Sequence, residues 1–163
     1  MGAVRKAVFL DRDGVINRER GEHTWRLEDF EILPGVPEAI AALRQAGWLT
    51  IVISNQSGVG LGLYTLEDVE RLHGYLHDRL RNAPLDAVYY CPHHPDQGRC
   101  LCRKPGSLLF ERAMARFGID PAASLMIGDR ERDITAAASA GVRGVLVEAN
   151  EPLLAVLQRE AIL

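Results

Sequence analysis

Ala7-Val8-Phe9-Leu10-Asp11-Arg12-Asp13-Gly14 is the stretch that decides the fold. Four continuous apolar residues run straight into a charged turn. A short unbroken apolar run is the pattern of a strand covered on both faces, as in a parallel sheet. Four more runs repeat it: Leu49–Ile53, Ala87–Tyr90, Leu125–Ile127 and Val145–Val147.

Helical patterns alternate with these runs. Pro34–Ala46 places Pro37 near its start, Val36, Ile40 and Leu43 on one face, and Gly47 as its stop. Thr65–Asn82 opens on Thr65-x-x-Asp68, a capping box, and carries Leu66, Val69, Leu72, Leu76 and Leu80 at helical spacing. Helices are predicted over about Ser107–Phe117, ending at Gly118, and about Glu131–Ala140, ending at Gly141. A short tail helix is expected after Glu151. The β-α-β-α order implies an α/β fold, a doubly wound, Rossmann-like parallel sheet. At 163 residues, without repeat or low-complexity linker, residues 1–163 are expected to form a single domain.

Composition narrows the function. The formal net charge of −3 gives no basic footprint for nucleic acid. No apolar run approaches the length of a membrane span, and the start does not resemble a signal peptide, so a cytoplasmic location is expected. A monomer is compatible with the sequence.

Ligands of open parallel sheets bind beyond the carboxyl ends of the strands. The residues found there are unusual: Asp11-Arg12-Asp13-Gly14, Ser54-Asn55-Gln56-Ser57-Gly58, Cys91-Pro92-His93, and Gly128-Asp129-Arg130-Glu131-Arg132-Asp133. They should meet at one edge, with Lys104 arriving from the loop before the third helix. A lone Asp-x-Asp is most often a turn. Here two acidic clusters each end a buried strand, and converging carboxylates repel unless a cation lies between them. Mg²⁺ suits carboxylates plus a phosphate, so Asp11, the backbone carbonyl of Asp13, and Asp129 are the predicted ligands. A carboxylate can also attack phosphorus. Ser54, Lys104 and backbone N–H groups after Gln56 and Gly58 could neutralise a phosphoryl group in transfer.

Cys91, Cys100 and Cys102 fall within twelve residues. An odd count without a secretion signal disfavours a disulfide framework. With His93 they form a Cys₃His set, the signature of structural Zn²⁺. His93 fits better than His94 because Cys-x-His mirrors Cys-x-Cys. His73 and His77, spaced i, i+4, read as a solvated or partly packed helix face, and Trp25 and Trp48 as packing residues.

Together these motifs resemble the haloacid-dehalogenase-like phosphatases, in the group that holds the heptose-bisphosphate 7-phosphatases and the histidinol-phosphate phosphatases. The resemblance runs from about Ala7 to Val147. It is carried by Asp11-Arg12-Asp13-Gly14-Val15-Ile16-Asn17, Ser54-Asn55-Gln56-Ser57-Gly58, Cys91-Pro92-His93-His94-Pro95, Cys102-Arg103-Lys104-Pro105 and Gly128-Asp129-x-x-x-Asp133. It implies that Asp11 attacks phosphorus and becomes an aspartyl phosphate. It implies that Asp13 protonates the leaving alcohol and then activates water. Ser54, Asn55, Gln56 and Lys104 would hold the phosphate, and Asp129 would complete the Mg²⁺ shell. Asp133 would orient Lys104 or a water on the metal, and Arg103 and Arg130 would touch substrate. The family motif also uses the position of His93.

Between Ser57 and Ala87 there is room for one helix, so no separate cap domain is expected and loops must choose the substrate. The expected partner is a small sugar phosphate, foremost the 7-phosphate of D-glycero-heptose 1,7-bisphosphate. Arg18, Arg20 and Arg26 suit a second phosphate; Glu19 and Glu22 suit the ammonium of histidinol phosphate, the alternative. Leu61 and Leu63 stand where heptose-bisphosphate phosphatases usually carry Arg and Lys. A receiver-type signalling domain is a more remote alternative. It also accepts phosphate on an Asp near Mg²⁺, but its acidic pair is adjacent and it has no zinc loop.

Overall fold

The computed structural model describes residues 2–163. Its five parallel strands are β1 (Ala7–Leu10), β2 (Leu49–Asn55), β3 (Ala87–Cys91), β4 (Leu125–Gly128) and β5 (Arg143–Leu146). They lie in the order β3-β2-β1-β4-β5. The helices are α1 (Val36–Gln45), α2 (Leu66–Arg79), α3 (Leu108–Phe117), α4 (Glu131–Ser139) and α5 (Leu153–Arg159).

Strand alternation splits the core in two. Val8, Leu10 and Val52 face α1, α2 and α5. Ala7, Phe9, Ile51 and Ile53 face α3 and α4. Side chains one residue apart leave a strand on opposite faces, so a continuous apolar run serves both layers. The chain moves outward from β1 through β2 to β3, then returns to the other side of β1 for β4 and β5. The direction reverses between β1 and β4, where ligand crevices of such sheets form. The capping box at Thr65 and the left-handed Gly118 stop stand where the sequence places them.

Three expectations change. The last strand begins at Arg143, and it and β3 are only partly covered because they are the sheet's edges. Leu66 is 46% exposed and falls outside the apolar stripe of α2. His73 is buried, only 4% exposed, with its ring edge-on to Tyr90 and its Nε2 3.5 Å from an Arg12 guanidinium nitrogen.

Burial, aided by the Arg12 charge, pushes the His73 imidazole down to about 3. Between that value and the ordinary 6.5, the unfolded chain takes a proton that the folded protein refuses. Stability is therefore lost as pH falls below about 6.5. From pH 7 to 5 this one residue is expected to cost about 2 kcal/mol, and His73→Gln should lose that much less. Urea unfolding of both proteins at the two pH values checks the difference.

Candidate active site

Asp11 follows the central strand, and its N–H donates to the Ile127 carbonyl on β4. Asp129 follows β4, so the switch point brings these carboxylates together. Asp11, Asp129 and Asp133 offer oxygens that all lie within 4.8 Å of one another. Gly14, at φ +89°, packs its backbone against the Asp129 carboxylate, so any side chain there would collide with it.

Lys104 is 1% exposed and holds this cluster together. Its Nζ lies 2.7 Å from Asp133 Oδ1 and 3.1 Å from Asp11 Oδ1, and donates to the Ile53 carbonyl at 2.7 Å. Desolvation works against the ammonium, but Asp11 and Asp133 more than offset it and hold its pKa above the ordinary value. The loop carrying Lys104 is clasped to β2: Asn55 Nδ2 donates to the Lys104 carbonyl, and Lys104 N–H donates to Asn55 Oδ1.

Asp13 sits beside the cluster. Arg12 donates to its Oδ1 at 2.8 Å, Asn17 to the same oxygen at 2.9 Å, and Gln56 Nε2 to its Oδ2 at 3.1 Å. Burial raises the Asp13 pKa, yet Arg12 and these donors outweigh burial and leave it below the usual carboxylate value. Asp11 behaves oppositely. Burial raises it well above the usual value, Lys104 only partly offsets this, and Asp133, Asp13 and Asp129 add to the rise. Asp129 is also raised, chiefly by burial.

Four carboxylates (Asp11, Asp13, Asp129, Asp133) thus crowd around two buried cations (Lys104, Arg12), with the exposed Arg130 reaching Asp129 only at 4.0 Å, so carboxylates outnumber the cations buried among them. Asp129 Oδ1 is buried and has no hydrogen-bond partner among the described residues. Orphaned oxygen and excess charge both fit a hard divalent cation.

A cleft of about 480 Å³ opens in front of this cluster. Asp11, Asp13, Asn55, Gln56, Asp129 and Arg130 line it, as do Glu19, Glu22, His23 and Arg132. Ser54 is buried beneath, where its Oγ accepts from Gln56 Nε2 at 2.8 Å. Arg103 is half-buried outside the lining. Arg18, Arg20 and Arg26 are outside it too, paired with Glu31, with Glu22 and Asp29, and with Glu28. The cations at the rim are instead Arg130 and Arg132. Leu61 and Leu63 are solvent-exposed, also outside the lining.

Sequence reasoning missed Arg12, Tyr64 and His73. Arg12 stands in the first motif without an assigned role, but its guanidinium is buried over Phe30 and also donates to the Thr24 carbonyl. Tyr64 is buried below the cleft; its hydroxyl donates to Gln56 Oε1 at 2.8 Å. Trp25 stacks on Tyr64 with an interplanar angle of 10°.

The second cluster ends β3. Cys91 Sγ lies 3.3 Å from His93 Nδ1, 3.7 Å from Cys100 Sγ and 3.0 Å from Cys102 Sγ; His93 Nδ1 lies 3.2 Å from Cys102 Sγ. Tetrahedral ligands around Zn²⁺ stand roughly 3.5–3.8 Å apart at ordinary bond lengths. The donor set fits, with modest spreading. Burial raises the Cys100 thiol, but the Arg103 N–H and the neighbouring cluster groups outweigh it and bring it down to about 7. His94 takes no part: its Nδ1 accepts from Asp96 N–H. The loop is tied to the one after β2, because Gln97 Nε2 donates to the Gly60 carbonyl and Gly60 N–H to the Pro92 carbonyl.

Comparison with known proteins agrees with this chemistry. A family model described as HAD-hydrolase-like matches residues 101–160. The D-glycero-beta-D-manno-heptose-1,7-bisphosphate 7-phosphatase of Haemophilus ducreyi is 37% identical over 96% of this chain and 91% of its own. The D-glycero-alpha-D-manno-heptose-1,7-bisphosphate 7-phosphatase of Burkholderia mallei is 40% identical over 87% of this chain and 79% of its own. The crystal structure of D,D-heptose 1,7-bisphosphate phosphatase from B. bronchiseptica, complexed with magnesium and phosphate, superposes with a TM-score of 0.83. It is 35% identical and covers 94% of this chain and 86% of that one.

Proposed function

Because the chain belongs to the haloacid-dehalogenase-like phosphatases, with the heptose-bisphosphate 7-phosphatases as relatives, we propose that it removes the 7-phosphate of D-glycero-D-manno-heptose 1,7-bisphosphate through an aspartyl phosphate on Asp11. The observation that carries the chemistry is the cleft itself: Asp11 and Asp13 side by side on the central strand's loop, facing Asp129 with Lys104 behind.

An Asp11 oxygen attacks phosphorus and the P–O ester bond breaks. Asp13 gives its proton to the departing alcohol. Asp13, now a carboxylate, takes a proton from water, whose oxygen attacks the same phosphorus and releases Asp11 and inorganic phosphate. The resting Asp13 favours its ionised form; a phosphate dianion docked before Asp11 pushes it back toward the range an acid needs. Lys104 keeps Asp11 aimed, and the Asn55 clasp keeps Lys104 in place. Ser54 orients the Gln56 amide from below. Arg130 and Arg132 meet the remote phosphate at the rim, with Arg103 on the adjoining loop. Mg²⁺ would be held by Asp11, the Asp13 backbone carbonyl and Asp129, with Asp133 fixing Lys104; when bound, it neutralises the phosphoryl oxygens during transfer. Zn²⁺ would be held by Cys91, His93, Cys100 and Cys102 and would shape the loop that delivers Arg103 and Lys104. The work belongs to the cytoplasm.

The test is Mg²⁺-dependent phosphate release from heptose 1,7-bisphosphates of both anomers, histidinol phosphate and simple sugar phosphates, on protein shown by elemental analysis to carry one zinc. The highest kcat/KM is expected on a heptose bisphosphate, with one phosphate released and the anomeric one retained. A higher value on histidinol phosphate overturns the substrate. A single retained phosphoryl group without turnover overturns the enzyme.

A further inference from the structure

Gln56 is buried, with its amide between two acceptors and one hydroxyl. Nε2 donates to Asp13 Oδ2 and to Ser54 Oγ, so Oε1 must face the other way. There it meets Tyr64, whose hydroxyl is its hydrogen-bond partner. The Asp13 carboxylate can only accept, so the direction of every proton in this chain is settled: Tyr64 donates to Gln56, and Gln56 donates to Asp13.

The ring is placed for this task. Any side chain at Gly58 would strike it, and Trp25 stacks against it near the cleft. From Tyr64 and Gln56 in this arrangement we infer that Tyr64 is a positioning residue for the acid–base group: its hydroxyl locks the Gln56 amide, and the amide locks Asp13. The inference rests on the reading of Asp13 as acid and base. Without the hydroxyl, the buried Gln56 Oε1 loses its partner, and the amide is no longer pinned on the side away from Asp13. Nε2 is then held less firmly against Asp13 Oδ2, and one of the donors that aim the carboxyl group at the ester oxygen is loosened.

Tyr64→Phe keeps the ring's packing on Trp25 and Gly58 and removes only the hydroxyl, so the fold should persist, with the melting temperature lowered by a few degrees for the lost buried hydrogen bond. The kinetic signature depends on the leaving group. A primary alkyl phosphate needs a proton on its departing oxygen; 4-nitrophenyl phosphate releases a stable phenolate without one. Both are measured as kcat/KM, with the alkyl ester being the best substrate in the screen above.

Tyr64→Phe is expected to lose about five- to tenfold on the alkyl ester and under about twofold on the aryl ester. Adding it to Gln56→Ala should cause no further loss on the alkyl ester. Equal losses on both esters, no loss on the alkyl ester, or a multiplied loss in the double variant overturns the inference. Asp13→Asn is run alongside. If it still hydrolyses the alkyl ester at the parental rate, the acid–base reading itself fails, whatever Tyr64→Phe does.

Discussion

Asp11→Asn is expected to abolish turnover, by about ten-thousand-fold or more in kcat, while the fold persists. The amide is nearly the same shape but cannot form the acyl phosphate. The substitution also removes one of the mutually repelling carboxylates: burial already raises Asp11, with Asp133, Asp13 and Asp129 adding to it. The new amide oxygen can still accept from the Arg12 N–H that now serves Asp11 Oδ1, and Lys104 keeps Asp133 as partner. Thermal unfolding should therefore change little, or rise, as activity disappears. Turnover within tenfold of the parent would show that another group attacks phosphorus.

Lys104→Met should damage both function and stability. The ammonium is buried against Asp11, Asp133 and the Ile53 carbonyl. Removing one partner of a buried ionic cluster leaves charges that neither water nor protein compensates, typically costing about 3–5 kcal/mol. For a chain of this size that corresponds to a fall of roughly 6–20 °C in melting temperature. The deficit should shrink as pH falls, since unpaired carboxylates escape it by taking a proton. In kcat/KM, the loss of a charge at the phosphoryl group is expected to reach about a hundredfold or more. A variant with parental melting temperature would mean that the Asp11–Asp133 pair tolerates burial unaided.

Much of the fold was legible because its signals are local. Ala7–Leu10 needs no partner to read as a buried strand, and Gly118 and Gly141 stop helices by backbone freedom alone. The cysteine cluster was legible for the same reason: ligand spacing is a property of one loop. The Asp11–Asp129 meeting required one more rule, that loops at the carboxyl ends of parallel strands converge. What stayed hidden depends on distant groups. Arg12 looks like any turn arginine until Thr24, Phe30 and His73 close around it. His73 looks like a helix-surface residue until Tyr90 on β3 covers it. Arg18, Arg20 and Arg26 look free for substrate because a one-dimensional reading cannot see that Glu31, Asp29 and Glu28 claim them.

Strand β1 has a neighbour on each side, and its last residue opens onto Asp11. Local fluctuation starts at margins and reaches such a strand only when nearly everything has opened. Amide exchange at Phe9 and Leu10 should consequently be among the slowest in the molecule, and exchange in the Glu19–His23 rim far faster. Reactivity is anchored to the most enduring part of the architecture, whereas the residues that would choose the substrate stand on its margin, in the Glu19–His23 loop and at the start of α4. Substitutions at the rim should thus change which ester is accepted while leaving the hydrolytic carboxylates in place.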